Sequence, residues 1–363
     1  MKRILIVVGT RPNFIKVTQF RRVAKDFPEL NIKIVHTGQH FDKNMAEVFF
    51  EQFKLAPDYF LEINPKSPVN QMGEIMIKLE QLIDNTFYPD LIITPGDVNS
   101  TLAVAIVANK KAIKLAHLES GLRSRDRTMP EEINRILTDE ISDYYFVTEK
   151  SGKINLEEEN KPGEIFMVGN TMIDTLVAFE EEIDKSDVVE ELGLTAEFVL
   201  MTIHRPSNVD HKEGLQKLID LLQKVTQTMQ VVFPIHPRTR KNIEKFGLSE
   251  AFAQIPNVIL TEALGYFEFQ HLVKKCMLVV TDSGGIQEET TFRQVPCLTL
   301  RDSTERPITT EIGSNTLTTF DVDAIMKMIL KISEGEYKKG EVPPLWDGNS
   351  TKRILEVINN LPL

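Results

Sequence analysis

Residues 2–16, KRILIVVGTRPNFIK, contain the pattern from which the fold is inferred. Residues 4–8 are apolar and mostly β-branched, which is typical of a strand that is buried on both faces. Gly9 then permits a tight backbone turn, and Pro12 suits the first turn of a helix. The stretch therefore predicts a buried strand, a turn and a helix, the repeating unit of a parallel α/β sheet.

The same pattern recurs along the chain. Helical spacing in residues 14–23, 72–82 and 101–107 separates the apolar runs, so strands and helices alternate. The first set of predicted strands comprises residues 4–8, 32–35, 91–94, 113–116, 144–147 and 165–168. A second set comprises residues 198–203, 231–235, 258–260, 277–281 and 297–300. We therefore predict an α/β protein with two parallel-sheet domains in tandem.

The domain boundary is predicted where the strand pattern stops. The stretch that follows Asn170 is charged and helical up to Gly193, with no strand signal. We predict a first domain at residues 1–169 and a second at residues 170–349. Residues 350–363 form a last helix that is expected to pack back across the domain interface. The length of 363 residues agrees, since about 150 residues per domain gives about two domains.

Composition excludes several classes of function. With 42 basic and 53 acidic residues the formal charge is −11, which disfavours nucleic-acid binding and attachment to anionic lipid. No apolar run approaches the ~20 residues of a membrane-spanning helix, and Gly9 and Arg11 end the first run too early for a signal peptide. Cys276 and Cys297 are too few for a disulfide framework or a zinc cluster. We expect a cytoplasmic protein without a metal.

Polar residues that follow the strands are the candidate site residues, because ligands of parallel sheets bind at the carboxyl ends of strands. Arg11 and Lys16 follow the first strand and could both face an anion, although solvated charges at an ordinary turn explain them equally well. Asp97 follows the third strand and could alone be a helix cap. Glu119 follows the next strand beside a glycine turn.

A third carboxylate lies at the start of a predicted helix. Pro130 opens this helix, and Glu131, Asn134 and Arg135 share one face by their i, i+3, i+4 spacing. The alternative for Glu131 and Arg135 is a surface ion pair that contributes a few tenths of a kcal/mol, roughly 0.3. Three carboxylates that the topology brings to one sheet edge nevertheless predict acid–base chemistry.

Cationic side chains and a glycine-rich turn follow the strands of the second half. His204, Arg205 and His236 come directly after two buried runs, and Arg306 lies in a further loop. Each of these turns by itself is weak evidence, and a lone histidine is more often structural. Together they predict a cationic pocket within an acidic protein.

The glycine-rich turn predicts a diphosphate site. Ser283, Gly284 and Gly285 open a helix whose backbone N–H groups and positive end would bind a diphosphate. Glu289, in an early turn of the same helix, could accept hydrogen bonds from both hydroxyls of a ribose. The chain has no Walker loop, dinucleotide fingerprint or paired histidines at metal spacing, which disfavours ATP, nicotinamide and metal chemistry.

These motifs together resemble those of one enzyme family, the non-hydrolysing UDP-N-acetylglucosamine 2-epimerases. The resemblance implies two Rossmann-like domains that face a cleft, similar to GT-B glycosyltransferases, in a cytoplasmic homodimer without a cofactor. The matching motifs are GTRPNFIK (9–16), HTGQH (36–40), GDVNSTLA (96–103), HLESGLRS (117–124), MPEEINR (129–135), VGNTMID (168–174), HRPSNVD (204–210), FPIHPRT (233–239), TDSGGIQEE (281–289) and RDSTERP (301–307).

The resemblance implies a reaction and assigns residues to it. UDP is eliminated anti across C1–C2 of UDP-GlcNAc to give 2-acetamidoglucal, and a proton then returns to the opposite face as UDP re-adds, giving UDP-ManNAc. The implied catalytic residues are Asp97, Glu119, Glu131 and His204; which acid is the base in each direction stays open. The implied substrate and UDP contacts are Arg11, Lys16, Arg135, Arg205, His236, Ser283, Gly284, Gly285, Glu289 and Arg306.

Three stretches depart from the bacterial enzymes, which typically have GTRPEAIK, GDTTTT and QHREMLDQ. This chain has Asn-Phe at 13–14, Val-Asn-Ser at 98–100 and Phe-Asp-Lys-Asn at 41–44. The last stretch contributes to an allosteric UDP-GlcNAc site in those enzymes, so allosteric activation is not expected. The variants look more like relatives from surface-polysaccharide pathways, some of which act on UDP-2,3-diacetamido-uronic acids or 6-deoxy sugars.

Other functions are compatible with the same pocket. A GT-B glycosyltransferase would transfer the sugar to an acceptor without exchange at C2, and a hydrolysing 2-epimerase would release free ManNAc. A regulatory subunit would bind the UDP-sugar without turnover, but it has no use for Asp97, Glu119 and Glu131 together.

Overall fold

The computed structural model describes residues 1–38, 50–64, 66–194 and 197–363. Its contacts divide the chain into two compact units. One unit comprises Met1–Ala178 and Pro344–Leu363, and the other comprises Phe179–Pro343. Within the described ranges, none of the helices combines the length and apolar character that a membrane span requires.

The first unit contains a seven-stranded parallel sheet in the order β3-β2-β1-β4-β5-β6-β7. The strand order reverses between β1 and β4, where the carboxyl ends of the strands flank a crevice suited to a ligand. The strands are β1 (Lys2–Val8), β2 (Leu30–His36), β3 (Tyr59–Phe60), β4 (Leu91–Pro95), β5 (Lys114–Leu118), β6 (Tyr144–Val147) and β7 (Glu164–Met167).

Helices lie between the strands of this sheet, and two more come after β7 in the chain. Helix Pro68–Asn85 illustrates why they form: Ser67 caps it by accepting a hydrogen bond from the Asn70 amide, and its apolar stripe is buried. The described helices of this unit are Arg11–Ile15, Phe20–Val23, Pro68–Asn85, Asn99–Lys110, Pro130–Glu140, Lys150–Glu158, Thr171–Ala178 and Ser350–Asn360, with a 3₁₀ turn at Ala24–Asp26.

The second unit contains a six-stranded parallel sheet in the order β10-β9-β8-β11-β12-β13. Alternate residues of its strands enter two separate apolar cores, so both faces of the sheet are covered. The strands are β8 (Phe198–Thr202), β9 (Gln230–Pro234), β10 (Val258–Thr261), β11 (Leu278–Thr281), β12 (Cys297–Leu300) and β13 (Asn315–Thr318).

The helices of the second unit come before its first strand, between its strands and after the last one. Its strand order reverses between β8 and β11, which again marks a ligand-binding edge. The described helices are Glu180–Asp184, Val188–Glu191, Pro206–Val209, Lys212–Val225, Pro237–Lys245, Ser249–Ala253, Tyr266–Lys275, Gly284–Arg293, Ile308–Glu311 and Val322–Ser333.

The predicted strands are all present, but the helix predicted at residues 14–23 is wrong. The structure has two short helices there, Arg11–Ile15 and Phe20–Val23, because the segment between them turns inward and buries Lys16 and Thr18. The edge strands β3 and β13 were not predicted, since one has two residues and the other has the mostly polar sequence Asn-Thr-Leu-Thr.

The C-terminal segment belongs to the first unit. Asp174 accepts hydrogen bonds from the backbone amides of Ser350 at 3.0 Å and Thr351 at 2.5 Å, and so caps helix Ser350–Asn360. At the other end of this helix, the Lys2 ammonium donates to two terminal carbonyls. Residues 170–178, which the sequence assigned to the second domain, therefore lie in the first unit together with the last helix.

Candidate active site

Three loops of the first unit converge at the carboxyl ends of β1, β4 and β5. Lys16, after β1, forms an ion pair with Glu119, after β5, and both side chains are buried. Gly96, after β4, lies between them: a Cβ on this residue would be 2.8 Å from Asn13 Nδ2 and 3.2 Å from Lys16 Nζ. The structure thus brings together the predicted residues Lys16 and Glu119, and the φ of 71° at position 96 favours glycine.

Glu119 adopts a backbone conformation that is unusual for its residue type. Its φ is 71°, in the left-handed region, where a non-glycine residue is uncommon. Nearby Gly121 also has a positive φ, and a Cβ there would lie 2.2 Å from the Gly152 carbonyl oxygen. Backbone strain of this kind persists where the surrounding structure holds the residue, and it is concentrated at functional sites.

Asp97 is held by a buried arginine. Its Oδ2 lies 2.6 Å from Arg135 Nη2; the Asp97 side chain is 25% exposed and that of Arg135 is 3% exposed. Arg135 Nη1 lies 2.7 Å from Glu132, whose carboxylate also accepts from the backbone amides of Ser124 and Arg125. The guanidinium therefore orients a carboxylate that solvent and a ligand can reach.

The two adjacent glutamates of helix Pro130–Glu140 have opposite environments. Glu131, the predicted catalytic residue, is exposed in the first turn, while Glu132 is buried. Sequence reasoning missed Glu132, although its i, i+3 spacing to Arg135 was a usable signal. Arg11, also predicted, is exposed at the start of helix Arg11–Ile15.

In the second unit a buried aspartate orients His204. Asp282 Oδ1 lies 3.0 Å from Nδ1 of His204, and the carboxylate also accepts from the backbone amides of His204 and Arg205. Burial by itself would raise the pKa of Asp282, but these donors hold it below its usual value. Nδ1 of His204 is therefore the donor, and Nε2 is left to face a ligand. Sequence reasoning also missed Asp282.

His236 lies beside His204 with a ring-centroid distance of 5.1 Å. Its Nδ1 accepts a hydrogen bond from the Arg238 amide, which caps helix Pro237–Lys245. Burial, with the neighbouring His204 and Arg238, lowers the pKa of His236. His236 is thus a neutral imidazole that carries its hydrogen on Nε2, where it can donate to an anion.

The predicted diphosphate site lies at the start of helix Gly284–Arg293. Ser283 is the N-cap residue, and the first-turn amides have no acceptors within the helix. A Cβ on Gly284 would lie 2.9 Å from Oε1 of Glu305 and 3.0 Å from Nη1 of Arg306. Arg306 pairs with Glu305, and with Glu288 at 2.9 Å, so its guanidinium is fixed beside the helix end. Arg205 donates from Nε to the Asp282 carbonyl at 2.8 Å.

Glu289 lies one turn further along this helix and is buried. Burial raises its pKa to about 7, with a further contribution from Glu288. At neutral pH the carboxyl group is therefore partly protonated, so it can both donate to and accept from hydroxyl groups. The predicted role toward a ribose stays a prediction.

Two expectations concern residues that the structure does not describe. Gln39 and His40 of the HTGQH motif, and residues 41–44, where a departure from the bacterial enzymes was noted, lie outside the described residues. Among the described residues no cluster of three or more metal-ligating side chains occurs.

Comparison with known proteins identifies close relatives along almost the whole chain. A family model described as UDP-N-acetylglucosamine 2-epimerase matches residues 22–359. A UDP-N-acetylglucosamine 2-epimerase homolog of Methanococcus maripaludis is 39% identical over 99% of this chain and 100% of its own. The UDP-2,3-diacetamido-2,3-dideoxy-D-glucuronate 2-epimerase of Pseudomonas aeruginosa is 36% identical, covering 99% of this chain and 100% of its own.

A solved structure shows the same fold. The crystal structure of the UDP-GlcNAc 2-epimerase of Methanocaldococcus jannaschii, in complex with UDP-GlcNAc and UDP, matches with a TM-score of 0.88 and 37% identity. The match covers 98% of this chain and 99% of that one. The prediction of two Rossmann-like α/β domains is therefore confirmed.

Proposed function

This chain belongs to the UDP-N-acetylglucosamine 2-epimerase family, and we propose that it interconverts UDP-GlcNAc and UDP-ManNAc without hydrolysis. The observation that carries the proposal is the pairing of two carboxylates with two buried cations at neighbouring strand ends, Glu119 with Lys16 and Asp97 with Arg135. Each cation holds its carboxylate in place, and a carboxylate is a group that can remove a proton from carbon.

The reaction would proceed in two steps. A carboxylate removes the proton from C2 while the C1–O bond to UDP breaks, so that a C1=C2 double bond forms and 2-acetamidoglucal and UDP result. UDP then re-adds at C1, and a proton is delivered to the opposite face of C2. We assign the proton transfers to Asp97, Glu119 and Glu131, and leave the direction served by each acid open.

The second unit would bind the departing UDP. The N-terminus of helix Gly284–Arg293 and the fixed guanidinium of Arg306 favour the negative charge of a diphosphate. Nε2 of His236 can donate to the same group, and His204 is oriented to exchange a proton with it. Glu289 can bind the ribose hydroxyls.

A second candidate substrate is a UDP-2,3-diacetamido-uronic acid. The relative from Pseudomonas aeruginosa, named for this substrate class, is nearly as similar in sequence as the one from Methanococcus maripaludis. The departure at Asn13 also lies at the site: its amide donates to the Pro95 carbonyl at 3.1 Å and supports the loop that carries Asp97.

The test is an incubation with UDP-GlcNAc in D₂O, in which NMR follows the C1 and C2 protons. The proposal expects UDP-ManNAc with deuterium at C2, and no free ManNAc. Glu119→Gln serves as the inactive comparison. Product formed only from the diacetamido-uronate would select the second candidate, and transfer to an added acceptor without exchange at C2 would select a glycosyltransferase.

A further inference from the structure

His117 belongs to the motif HLESGLRS, but no role is predicted for it from the sequence. It is the fourth residue of β5, and its side chain is fully buried. Nδ1 lies 2.6 Å from Asp139 Oδ1, and Nε2 lies 2.7 Å from the carbonyl oxygen of Gly96. Both ring nitrogens therefore face oxygen atoms.

The geometry defines the hydrogen-bonding partners of this ring. A carbonyl oxygen only accepts, so Nε2 must carry the hydrogen that binds Gly96. Oδ1 of Asp139 faces Nδ1, while Oδ2 accepts from Arg123 Nη1 at 2.7 Å and from the Gly121 amide at 3.2 Å. Although burial alone would raise the pKa of Asp139, His117 and Arg123 hold it below its usual value. His117 thus links the Asp139 carboxylate to the Gly96 carbonyl.

Ionic contacts continue from this ring into the unit. Asp139 faces the ring from helix Pro130–Glu140, and Arg123 faces Asp139 from the loop after β5. Glu159 pairs in turn with Arg123 at 2.7 Å and with Lys161 at 3.4 Å. Anions and cations therefore alternate from Asp139 onward, which is how a buried carboxylate is tolerated in a protein interior.

His117 and its aspartate hold the backbone of two catalytic loops. His117 binds the carbonyl of Gly96, the residue before Asp97. Asp139 binds the amide of Gly121, two residues after Glu119. Glu119 itself has a φ of 71°, a conformation that costs free energy in a non-glycine residue and that the bond beside it helps to fix.

We propose that His117, held by Asp139 at Nδ1, is a positioning residue that fixes the Gly96 carbonyl and through it the carboxylate of Asp97 for proton transfer at C2. The inference rests on the proposed function for the reaction it serves. It adds a role for a residue that touches neither the sugar nor UDP.

The first test observes the ring directly. Histidine labelled with ¹⁵N in the full chain, without substrate, is followed by NMR. We expect a hydrogen on Nε2 of His117 that is protected from exchange by its bond to the Gly96 carbonyl, assigned by the loss of this signal in His117→Gln. A His117 ring without a hydrogen on Nε2 overturns the inference, whether or not the chain turns over UDP-GlcNAc.

The second test uses turnover and a rescue. Gln at position 117 can donate to Gly96 but places its oxygen against Asp139, so His117→Gln should lower kcat about tenfold or more while KM changes less than about twofold. The double variant His117→Gln with Asp139→Asn restores an amide pair at this contact, and part of the lost kcat should return. A kcat for His117→Gln within about twofold of the original, or no recovery in the folded double variant, overturns the proposal.

His271→Gln is the matched control. His271 is also buried and bonds a backbone carbonyl, that of Ile183 at 2.7 Å, in the second unit. Its replacement should lower the melting temperature but leave kcat unchanged, because no catalytic loop depends on it. If the original chain shows no deuterium exchange on any UDP-2-acetamido sugar, the proposed function fails, and the nitrogen signals still decide the state of His117.

Discussion

Asp282 and His204 form a hydrogen-bonded pair in which a fully buried carboxylate, 3.0 Å from Nδ1, fixes the tautomer of a half-exposed imidazole. The His204 side chain is 37% exposed, so its Nε2 edge can reach a ligand while the ring is held from behind. The same carboxylate accepts from the amide of Asn208 at 2.9 Å. Asp282 therefore organises the whole turn after β8.

Replacement of this carboxylate should damage both stability and turnover. Asp282→Asn places an NH₂ group against backbone donors, and a buried donor without an acceptor costs about 1–3 kcal/mol of unfolding free energy. We also expect kcat to fall about tenfold or more, because the tautomer of His204 is no longer fixed. Urea unfolding and the D₂O assay measure the two effects. Asp187→Asn, at an exposed position of the same unit, is the control and should change neither.

The pH dependence of this contribution has a definite sign. Since the folded-state pKa of Asp282 is lowered, its contribution to stability is present at neutral pH and is lost as the pH falls below the ordinary aspartate value of 3.8. The free energy of unfolding at acidic pH should therefore depend less steeply on pH in Asp282→Asn than in the original chain. Identical acid transitions in the two proteins would contradict the assignment.

The ion pair of Lys16 and Glu119 predicts non-additive effects. Lys16→Met alone leaves a buried carboxylate without its cation and should lower the unfolding free energy by about 3–5 kcal/mol. The double variant Lys16→Met with Glu119→Gln should recover most of this stability but no turnover. Denaturant unfolding of the four proteins gives the coupling energy. Additive losses would show that the pair is not coupled in solution.

A matched surface pair provides the reference for that cycle. Lys153 and Glu157 lie 3.6 Å apart on helix Lys150–Glu158, and both side chains are about half exposed. Their coupling energy should be about 0.5 kcal/mol or less. A comparable coupling for both pairs would mean that burial does not strengthen the contact of Lys16 with Glu119.

The strand ends were predictable from the sequence because buried parallel strands are short apolar runs, and polar residues directly after them are easily recognised. Lys16, Asp97 and Glu119 were found in this way. The turn that buries Lys16 was not predictable, because the apolar spacing of residues 14–23 also fits one continuous helix.

The residues that hold the candidate site residues in place could not be predicted, and the reason is a different one. Glu132 and Asp139 lie on a helix whose acidic side chains look alike in sequence, and only packing against the loops after β4 and β5 buries these two. His117 and Asp139 are 22 residues apart, and Asp282 is 78 residues from His204. Contacts at such separations depend on the assembled sheet and have no local pattern.

Glu289 should make stability fall as the pH rises. Its folded-state pKa of about 7 lies above the ordinary value of 4.5, so the folded chain loses stability as the pH rises through this interval and the buried group must ionise. Glu289→Gln removes the titration and should be more stable than the original at about pH 8, by on the order of 1–3 kcal/mol, but not at about pH 5. Thermal unfolding at both pH values measures the difference.

Binding of the ribose by Glu289 can be tested separately from the effect of Glu289 on the pH dependence of stability. If the carboxyl group binds the ribose hydroxyls, Glu289→Gln should weaken binding of UDP about tenfold and binding of 2′-deoxy-UDP much less, since a hydrogen bond to a charged group contributes about 1.5–3 kcal/mol. Calorimetric titration with both nucleotides checks this. Equal losses for the two would assign Glu289 a purely structural role.

The cap that Asp174 forms on helix Ser350–Asn360 should be worth more than an ordinary exposed cap. Asp174→Ala removes the acceptor of two buried backbone amides and should lower the unfolding free energy by about 2 kcal/mol, at the upper end for cap residues. Asp321→Ala removes an exposed cap from helix Val322–Ser333 and should cost about 1 kcal/mol or less. Urea unfolding compares the two variants, and kcat should remain unchanged in both, because neither residue lies at the candidate site. A larger loss for Asp321→Ala would show that burial of the cap of the last helix adds nothing to stability.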